Sequence, residues 1–142
     1  MGIESIIHKI LPFLGVYFRM GVKVPLLRKM IFFTNGAVGR LIPNLSFLGF
    51  RKEKSYENAL WNWELYLRLV GADYELQEND VGEKIYIFKK CPVGNCCRKH
   101  IDACKATMAV DHNVVEISGA KLILEKTIPV DGICVERIAR SC

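Results

Sequence analysis

The sequence lacks several features that would assign it at once to a class of protein. No apolar run reaches the roughly 20 residues that a membrane-spanning helix requires. The first residues show no basic segment followed by an apolar run and a small-residue cleavage site, so no secretory signal peptide is predicted. A glycine-rich phosphate loop, an HExxH motif and a Ser-His-Asp ordering are also missing, which argues against the enzyme classes that depend on them.

Composition predicts one globular, intracellular domain. The chain has 142 residues, and 51% of them are hydrophobic, which is enough to bury a single core without disulfides. Six cysteines in a chain without a signal peptide are more often metal ligands or redox groups than bridges. We therefore expect a protein of the reducing cytoplasm.

Charge divides the chain into two parts. Residues 1–54 carry nine Lys and Arg against two acids, a net charge of +7, whereas residues 55–142 carry eleven against thirteen, a net charge of −2. We interpret 1–54 as a basic, apolar helical extension and 55–142 as an α+β cysteine-rich domain. Any anionic partner should meet the extension.

The extension is predicted to be a pair of amphipathic helices. Apolar residues recur at helical spacing over 3–14 and 26–33, and Thr34-Asn35-Gly36 is predicted to end the second helix. This pattern suits binding to a membrane surface, which would make the protein peripheral to the membrane. It equally suits packing on the chain's own domain, on a second copy in a homodimer or on another protein, and packing is the commoner fate of an apolar helical face.

The second part is predicted to have an α+β fold, with an antiparallel sheet of about four strands packed with helices. Ser55 should cap a helix that runs to Val70, and a further helix is expected over 98–112 with a turn at Asn113. Alternating or β-rich segments predict strands over 74–76, 84–89, 121–127 and 133–138, with a turn over 129–132 before the last strand.

A cysteine cluster is the strongest chemical signal. The thiols of Cys91, Cys96, Cys97 and Cys104 fall within fourteen residues, and Cys134 begins the last predicted strand. If the closing hairpin lies beside strand 84–89, Cys134 comes close to the others. Soft sulfur ligands favour zinc, copper(I) or an iron–sulfur cluster, so these five cysteines are the candidate metal and cofactor ligands, with His100 as a further or alternative one.

Several alternatives stay open at this site. A helix beginning after Cys97 should lower nearby thiol pKa values, which favours thiolates. Cys104 could be only a small buried apolar residue. The candidate catalytic residues are Cys91 and Asp102, although an acid in the first turn of a helix usually complements the helix dipole. Nucleic-acid binding is not expected, because aromatic residues beside the basic ones are too sparse.

Three segments carry a resemblance to a known family: Lys90-Cys91-Pro92, then Cys104, then residues 119–138, which end in Cys134-Val-Glu-Arg-Ile. They resemble the L-2-amino-thiazoline-4-carboxylic acid hydrolase-like family and, more distantly, vinyl-reductase-type small-molecule-binding domains. The resemblance implies an antiparallel α+β domain with a pocket edged by Cys91, Cys104 and Cys134, which can hold a metal. The adjacent pair Cys96-Cys97 departs from this pattern.

Two functions are therefore expected. The first is a domain that binds zinc or an iron–sulfur cluster through its cysteines beside a pocket for a small-molecule ligand. The alternative is a hydrolase of a cyclic C–N bond, acting on a substrate like 2-amino-thiazoline carboxylate through a metal or a thiolate. A third possibility is an interaction protein in which the cysteines are inert.

Overall fold

The predicted α+β class is confirmed by the computed structural model, which describes residues 2–93 and 100–141. Over those residues the chain forms five α-helices and one four-stranded antiparallel sheet. The helices are α1 (Ile3–Gly21), α2 (Pro25–Leu41), α3 (Tyr56–Leu69), α4 (Ile101–Ile117) and the single turn α5 (Ile128–Asp131). The strands are β1 (Glu75–Glu78), β2 (Lys84–Phe88), β3 (Ala120–Lys126) and β4 (Cys134–Arg140).

The sheet is built from two hairpins that lie side by side. Its order is β1-β2-β4-β3, so the last strand lies between β2 and β3. Phe88 pairs with Cys134 at one end of the β2–β4 ladder, and Leu122 pairs with Ile138 in the β3–β4 ladder. The prediction that the closing hairpin neighbours strand 84–89 is confirmed, and Cys134 consequently lies at the end of β2.

Helix α3 forms where the sequence predicts it. The Ser55 Oγ accepts a hydrogen bond from the Asn58 amide at 3.0 Å, which caps the first turn. Trp63 and Leu67 lie one turn apart on the buried face of the helix. Asn62, also fully buried, donates to the Ser118 Oγ at 2.8 Å and so ties α3 to the end of α4.

Helix α4 extends five residues further than predicted. Asn113, the expected turn, lies within the helix, where its side chain donates to the Ala109 carbonyl and accepts from Arg40 Nε. Val114 and Val115 are completely buried, and this burial stabilises the additional helical turn. The chain leaves the helix at Gly119, whose φ of +104° suits glycine.

Helix α2 also continues where a break was predicted. The Thr34 hydroxyl donates to the Met30 carbonyl within the helix, and the buried Asn35 side chain donates to the Ala106 carbonyl of α4 at 2.7 Å. At Gly39 a Cβ would lie 2.5 Å from the Val110 carbonyl oxygen, so the glycine permits close approach of the two helices. The tertiary contact with α4 outweighs the weak helix propensity of Thr-Asn-Gly.

The extension is thus packed on the cysteine-rich domain through one face of α2. Helix α1 runs through Pro12 without ending, and Pro25 occupies the first turn of α2, where its missing N–H costs nothing. Two short 3-10 helices, Ile42–Asn44 and Ser46–Leu48, lead on towards α3. Within the described part of the chain, no helix is both long enough and apolar enough to cross a membrane.

Candidate functional site

A cavity of about 60 Å³ lies between α3, α4 and the adjoining ends of β2 and β4. Most of its wall is apolar and includes Leu67, Phe88 and Met108. Against this apolar background it has six residues with ionisable side chains: Tyr66, Cys91, Cys104, Asp111, Cys134 and Glu136. A small apolar cavity with a few convergent polar groups is the usual form of a small-molecule site.

Strand alternation places two of these residues side by side. Cys134 and Glu136 are two positions apart in β4 and therefore point to the same face of the sheet. The register pairs them with Phe88 and Tyr86, which are buried on that face. Cys91 follows β2 by three residues, so the chain brings it to the same end of the sheet as Cys134.

Helical spacing places the remaining groups opposite the sheet. Cys104 and Asp111 are seven residues apart in α4, which is nearly two full turns, so they share a face. On α3, Trp63, Tyr66 and Val70 recur at the same kind of spacing and line the cavity together. The site is therefore formed by three elements that are distant in sequence.

Asp111 is a buried acid with a tyrosine as its partner. The Tyr66 hydroxyl donates a hydrogen bond to the Asp111 carboxylate. Burial raises the pKa of Asp111 to about 7, although the bond from Tyr66 acts in the opposite direction. Burial also raises the pKa of the Tyr66 hydroxyl well above its ordinary value, with the Asp111 charge adding to the effect. Asp111 therefore changes its protonation state near neutral pH.

Glu136 is the most unusual side chain of the sheet. It lies in the middle of β4 and is 4% exposed. Its Oε1 accepts a hydrogen bond from the Cys134 thiol at 3.4 Å, whereas its Oε2 has no partner among the described residues. Burial, followed by the charge of Asp111, raises the pKa of Glu136 well above its usual range. This carboxyl group therefore holds its proton more tightly than an exposed glutamate does.

The structure brings three of the five predicted ligands together. Cys91, Cys104 and Cys134 line the one cavity, and no disulfide joins any two of them. Burial and then the neighbouring Glu136 raise the pKa of the Cys134 thiol, so this group is a thiol rather than a thiolate in the unliganded site. Cys96 and Cys97, together with residues 98 and 99 of the predicted helix start, lie outside the described residues.

The described side chains do not complete a metal site on their own. Within 2–93 and 100–141, no three His, Cys, Asp or Glu side chains form a group that could hold an ion. A ligand set that includes Cys96 or Cys97 is not covered by that finding, because both residues lie outside these ranges.

The other two predicted site residues lie away from the cavity wall. His100 is the half-buried residue before the first turn of α4. Asp102, in that first turn, lines a separate and open depression together with Arg28, Lys29 and Phe32. This position suits the helix dipole and the nearby basic side chains of α2.

Sequence reasoning missed Glu136 and Tyr66 and gave no role to Asp111. Glu136 follows Cys134 by two residues in a strand, so their shared orientation could have been inferred from strand alternation alone. Asp111 follows Cys104 by seven residues in a helix, so helical periodicity places the two on one face. Trp63 is 1% exposed, and its Nε1 has no partner among the described groups.

Comparison with known proteins adds no assignment to this geometry. No family model matches the chain, and no curated protein matches it. The resemblance to the hydrolase-like family therefore stays a prediction that rests on Cys91, Cys104, Cys134 and the residues around them.

Proposed function

We propose that this protein binds a thiophilic metal centre, zinc or an iron–sulfur cluster, in the reducing cytoplasm, beside a pocket for a small molecule. The observation that carries the proposal is the convergence of Cys91, Cys104 and Cys134 on one cavity with the unpartnered carboxyl oxygen of Glu136. These residues come from a loop, a helix and a strand, so their meeting is a property of the fold.

The charge balance of the cavity supports a cation. Every ionisable group that the structure describes on its wall is an acid, and no Lys, Arg or His is among them. Burial of such groups without positive charge raises their pKa values, as it does at Asp111 and Glu136. A bound metal ion reverses this effect, because it stabilises the deprotonated forms.

The donor atoms fit a soft metal. The thiols of Cys91, Cys104 and Cys134 would contribute ligands only together with Cys96 and Cys97, because no three of the described side chains form a complete ligand group, and Glu136 would lie beside them. When bound, zinc would supply a Lewis acid and an iron–sulfur cluster would supply an electron carrier. The chain's own contribution is a largely apolar wall that limits water around the sulfur atoms.

Two buried polar atoms support a small ligand next to the metal. The Trp63 N–H is an unsatisfied donor and the Glu136 Oε2 is an unsatisfied acceptor, both counted against the described residues. Leaving such groups unpaired costs about 1–3 kcal/mol each, so a ligand that satisfies both is favoured. A cavity of about 60 Å³ has room for a few water molecules or a small polar group.

A second candidate function is hydrolysis of a cyclic C–N bond. The observation that favours it is Asp111, whose pKa of about 7 matches that of a general acid or base at neutral pH. The Cys91 thiol or a water molecule would attack the ring carbon while Asp111 takes the proton that the nucleophile loses. The C–N bond would break as Asp111 passes this proton to the leaving nitrogen. Where Cys91 is the nucleophile, a water molecule would then cleave the bond between its sulfur and the product and restore the thiol. A metal-free protein that opens 2-amino-thiazoline carboxylate would establish this alternative.

Anaerobic purification followed by analysis of iron, zinc and acid-labile sulfide tests the proposal. We expect about one centre per chain, either a brown protein with iron and sulfide or a colourless protein with zinc. Protein that contains neither metal, and that gains none when incubated anaerobically with zinc or with iron and sulfide, would overturn the proposal.

A further inference from the structure

Helices α1 and α2 leave large apolar side chains at the surface. On α1, Ile6, Ile10, Phe13, Tyr17 and Met20 are all exposed and follow one another at helical spacing. On α2 the same is true of Leu26, Met30, Phe33 and Leu41. Phe13 is 76% exposed and Phe33 is 81% exposed. These two stripes, which we call the α1 stripe and the α2 stripe, are separate from the inner face of α2 that packs on α4.

A large apolar groove lies next to the α1 stripe. Its volume is about 380 Å³, and it lies between α1, α2, α3 and α4. Exposed Tyr17 of the α1 stripe lines it on one side, and exposed Thr34 and Val38 of α2, which are not part of the α2 stripe, line it on the other. The groove also shares Leu11 and Tyr66 with the cavity of the thiol site. The apolar surface therefore continues from the α1 stripe into the groove at Tyr17.

Positive charge lies on and between the two helices. Of the exposed basic residues there, Arg19, Lys23, Arg28 and Lys29 form no ion pair with any described residue, and Asp102 shares a depression with the last two. The sheet differs, because Lys84, Lys89 and Arg137 are each paired with a glutamate. Residues 1–41, which contain both helices, carry six Lys and Arg against one acid, a net charge of +5.

We propose that α1 and α2 bind the protein to the surface of anionic lipid membranes. Apolar stripes flanked by Lys and Arg are the features by which a helix lies in a membrane interface, with its apolar face among the acyl chains. The basic residues would attract anionic headgroups, and hydrocarbon chains would cover the stripes and the mouth of the groove. This surface is distinct from the metal site, so the two proposals stand or fall separately.

Charge is the reason to choose a membrane over a second copy of the chain. A symmetric dimer through this surface would bring two regions of +5 into contact, which opposes association. An anionic bilayer provides the opposite charge together with an apolar phase for the two stripes.

Co-sedimentation of the full chain with vesicles tests the proposal. Vesicles of phosphatidylcholine with phosphatidylglycerol should retain the protein, and vesicles of phosphatidylcholine alone should retain at least tenfold less. Replacing Phe13 and Phe33 by Ser should weaken binding by about tenfold or more, because the variant no longer places these two exposed rings among the acyl chains. The matched control is Val81→Ser with Val130→Ser, two exposed apolar residues elsewhere, which should change nothing.

The charge contribution has its own pair of variants. Arg28→Gln with Lys29→Gln should weaken binding by about tenfold or more at low salt, because basic side chains near an anionic surface attract its headgroups. Lys121→Gln with Lys126→Gln, a pair of exposed lysines on β3, should leave binding unchanged. Circular dichroism verifies that all four variants fold.

Three results would overturn the inference. Equal retention by neutral and anionic vesicles would show that charge does not contribute to binding. Absence of retention by either vesicle would exclude membrane binding. A dimer in solution that the Phe13 and Phe33 replacements dissociate, together with no vesicle binding, would assign the surface to a second copy of the chain.

Discussion

Two neighbouring residues of β4, which point to opposite faces of the sheet, differ in whether their charged groups have partners. Arg137 points to one face and pairs with Glu83 at 2.6 Å and with Glu125 at 2.7 Å. Glu136 points to the other face, where it is buried with one carboxyl oxygen that has no partner in the described structure. Arg137 is therefore neutralised by its neighbours, whereas Glu136 has no positively charged partner among the described residues.

This difference identifies a part of the fold that contains buried groups which do not stabilise it. Buried acids without a positive partner destabilise a folded chain, because burial opposes their ionisation. Asp111 and Glu136 lie in the same cavity as three thiols, so this destabilisation is concentrated in the cavity. Strongly shifted pKa values that cluster in a cavity are typical of functional sites.

The largest expected effect concerns the pH dependence of stability. Because the pKa of Asp111 is raised from 3.8 to about 7 in the folded chain, the metal-free protein holds this proton more tightly than the unfolded chain does. The stability from this group is fully present below pH 4 and is lost as the pH rises to about 7. At about 1.4 kcal/mol per pKa unit, the loss is about 4 kcal/mol.

Asp111→Asn should remove this dependence. Urea denaturation of the metal-free protein from pH 4 to pH 8 should show wild type losing about 4 kcal/mol relative to the variant. Glu116→Gln, an exposed acid on the same helix, is the matched control and should behave like wild type. A difference between wild type and Asp111→Asn that does not change with pH would show that Asp111 is not buried as an unpaired acid.

A bound metal ion should offset the destabilisation that the buried acids cause on the helix-facing side of the sheet. Zinc at a hundredfold excess over its Kd should raise the free energy of unfolding by about 2.7 kcal/mol. Affinity should increase with pH, since the thiols of Cys91, Cys104 and Cys134 must lose protons to bind. Urea denaturation with and without zinc measures the first effect, and titration with cobalt(II), followed by its thiolate absorption from pH 6 to pH 8, measures the second. An affinity that falls as the pH rises would contradict a thiolate site.

The smallest effect is expected on the opposite face. Arg137→Met removes two partly exposed ion pairs, so its effect on stability should be smaller than that of either change above. The remaining effect should shrink in 1 M salt, where screening is strong. A double-mutant cycle of Arg137→Met with Glu83→Gln isolates the pair. A coupling energy as large as the Asp111 effect would contradict this order, because the two faces of the sheet would then have equal effects on the free energy of unfolding.

The parts of the fold that local patterns determine were predictable from the sequence. Helix α3 has a serine cap and apolar residues at helical spacing, and β4 alternates between two faces. The continuation of α2 through Asn35 was not predictable, because it depends on a hydrogen bond to Ala106, 71 residues away. No local signal reports such a contact.

The candidate site also has one part that the sequence predicts and another that depends on tertiary packing. Residue type and topology were sufficient to predict that Cys91 and Cys134 lie near each other, since one ends a strand and the other begins its neighbour. Glu136 was missed and Asp111 was given no role, because acids in helices and strands are usually exposed, and only the packing of α3 and α4 over the sheet buries them. Their importance comes from burial, which a single sequence does not show.

Metal content of cysteine variants tests the central claim most directly. Wild type, Cys91→Ser, Cys134→Ser and the terminal variant Cys142→Ser would be purified anaerobically and analysed for iron, zinc and sulfide per folded chain. The account predicts about one centre in wild type and in Cys142→Ser, and almost none in Cys91→Ser and Cys134→Ser. Equal metal content in all four proteins, each with an intact circular dichroism spectrum, would contradict it.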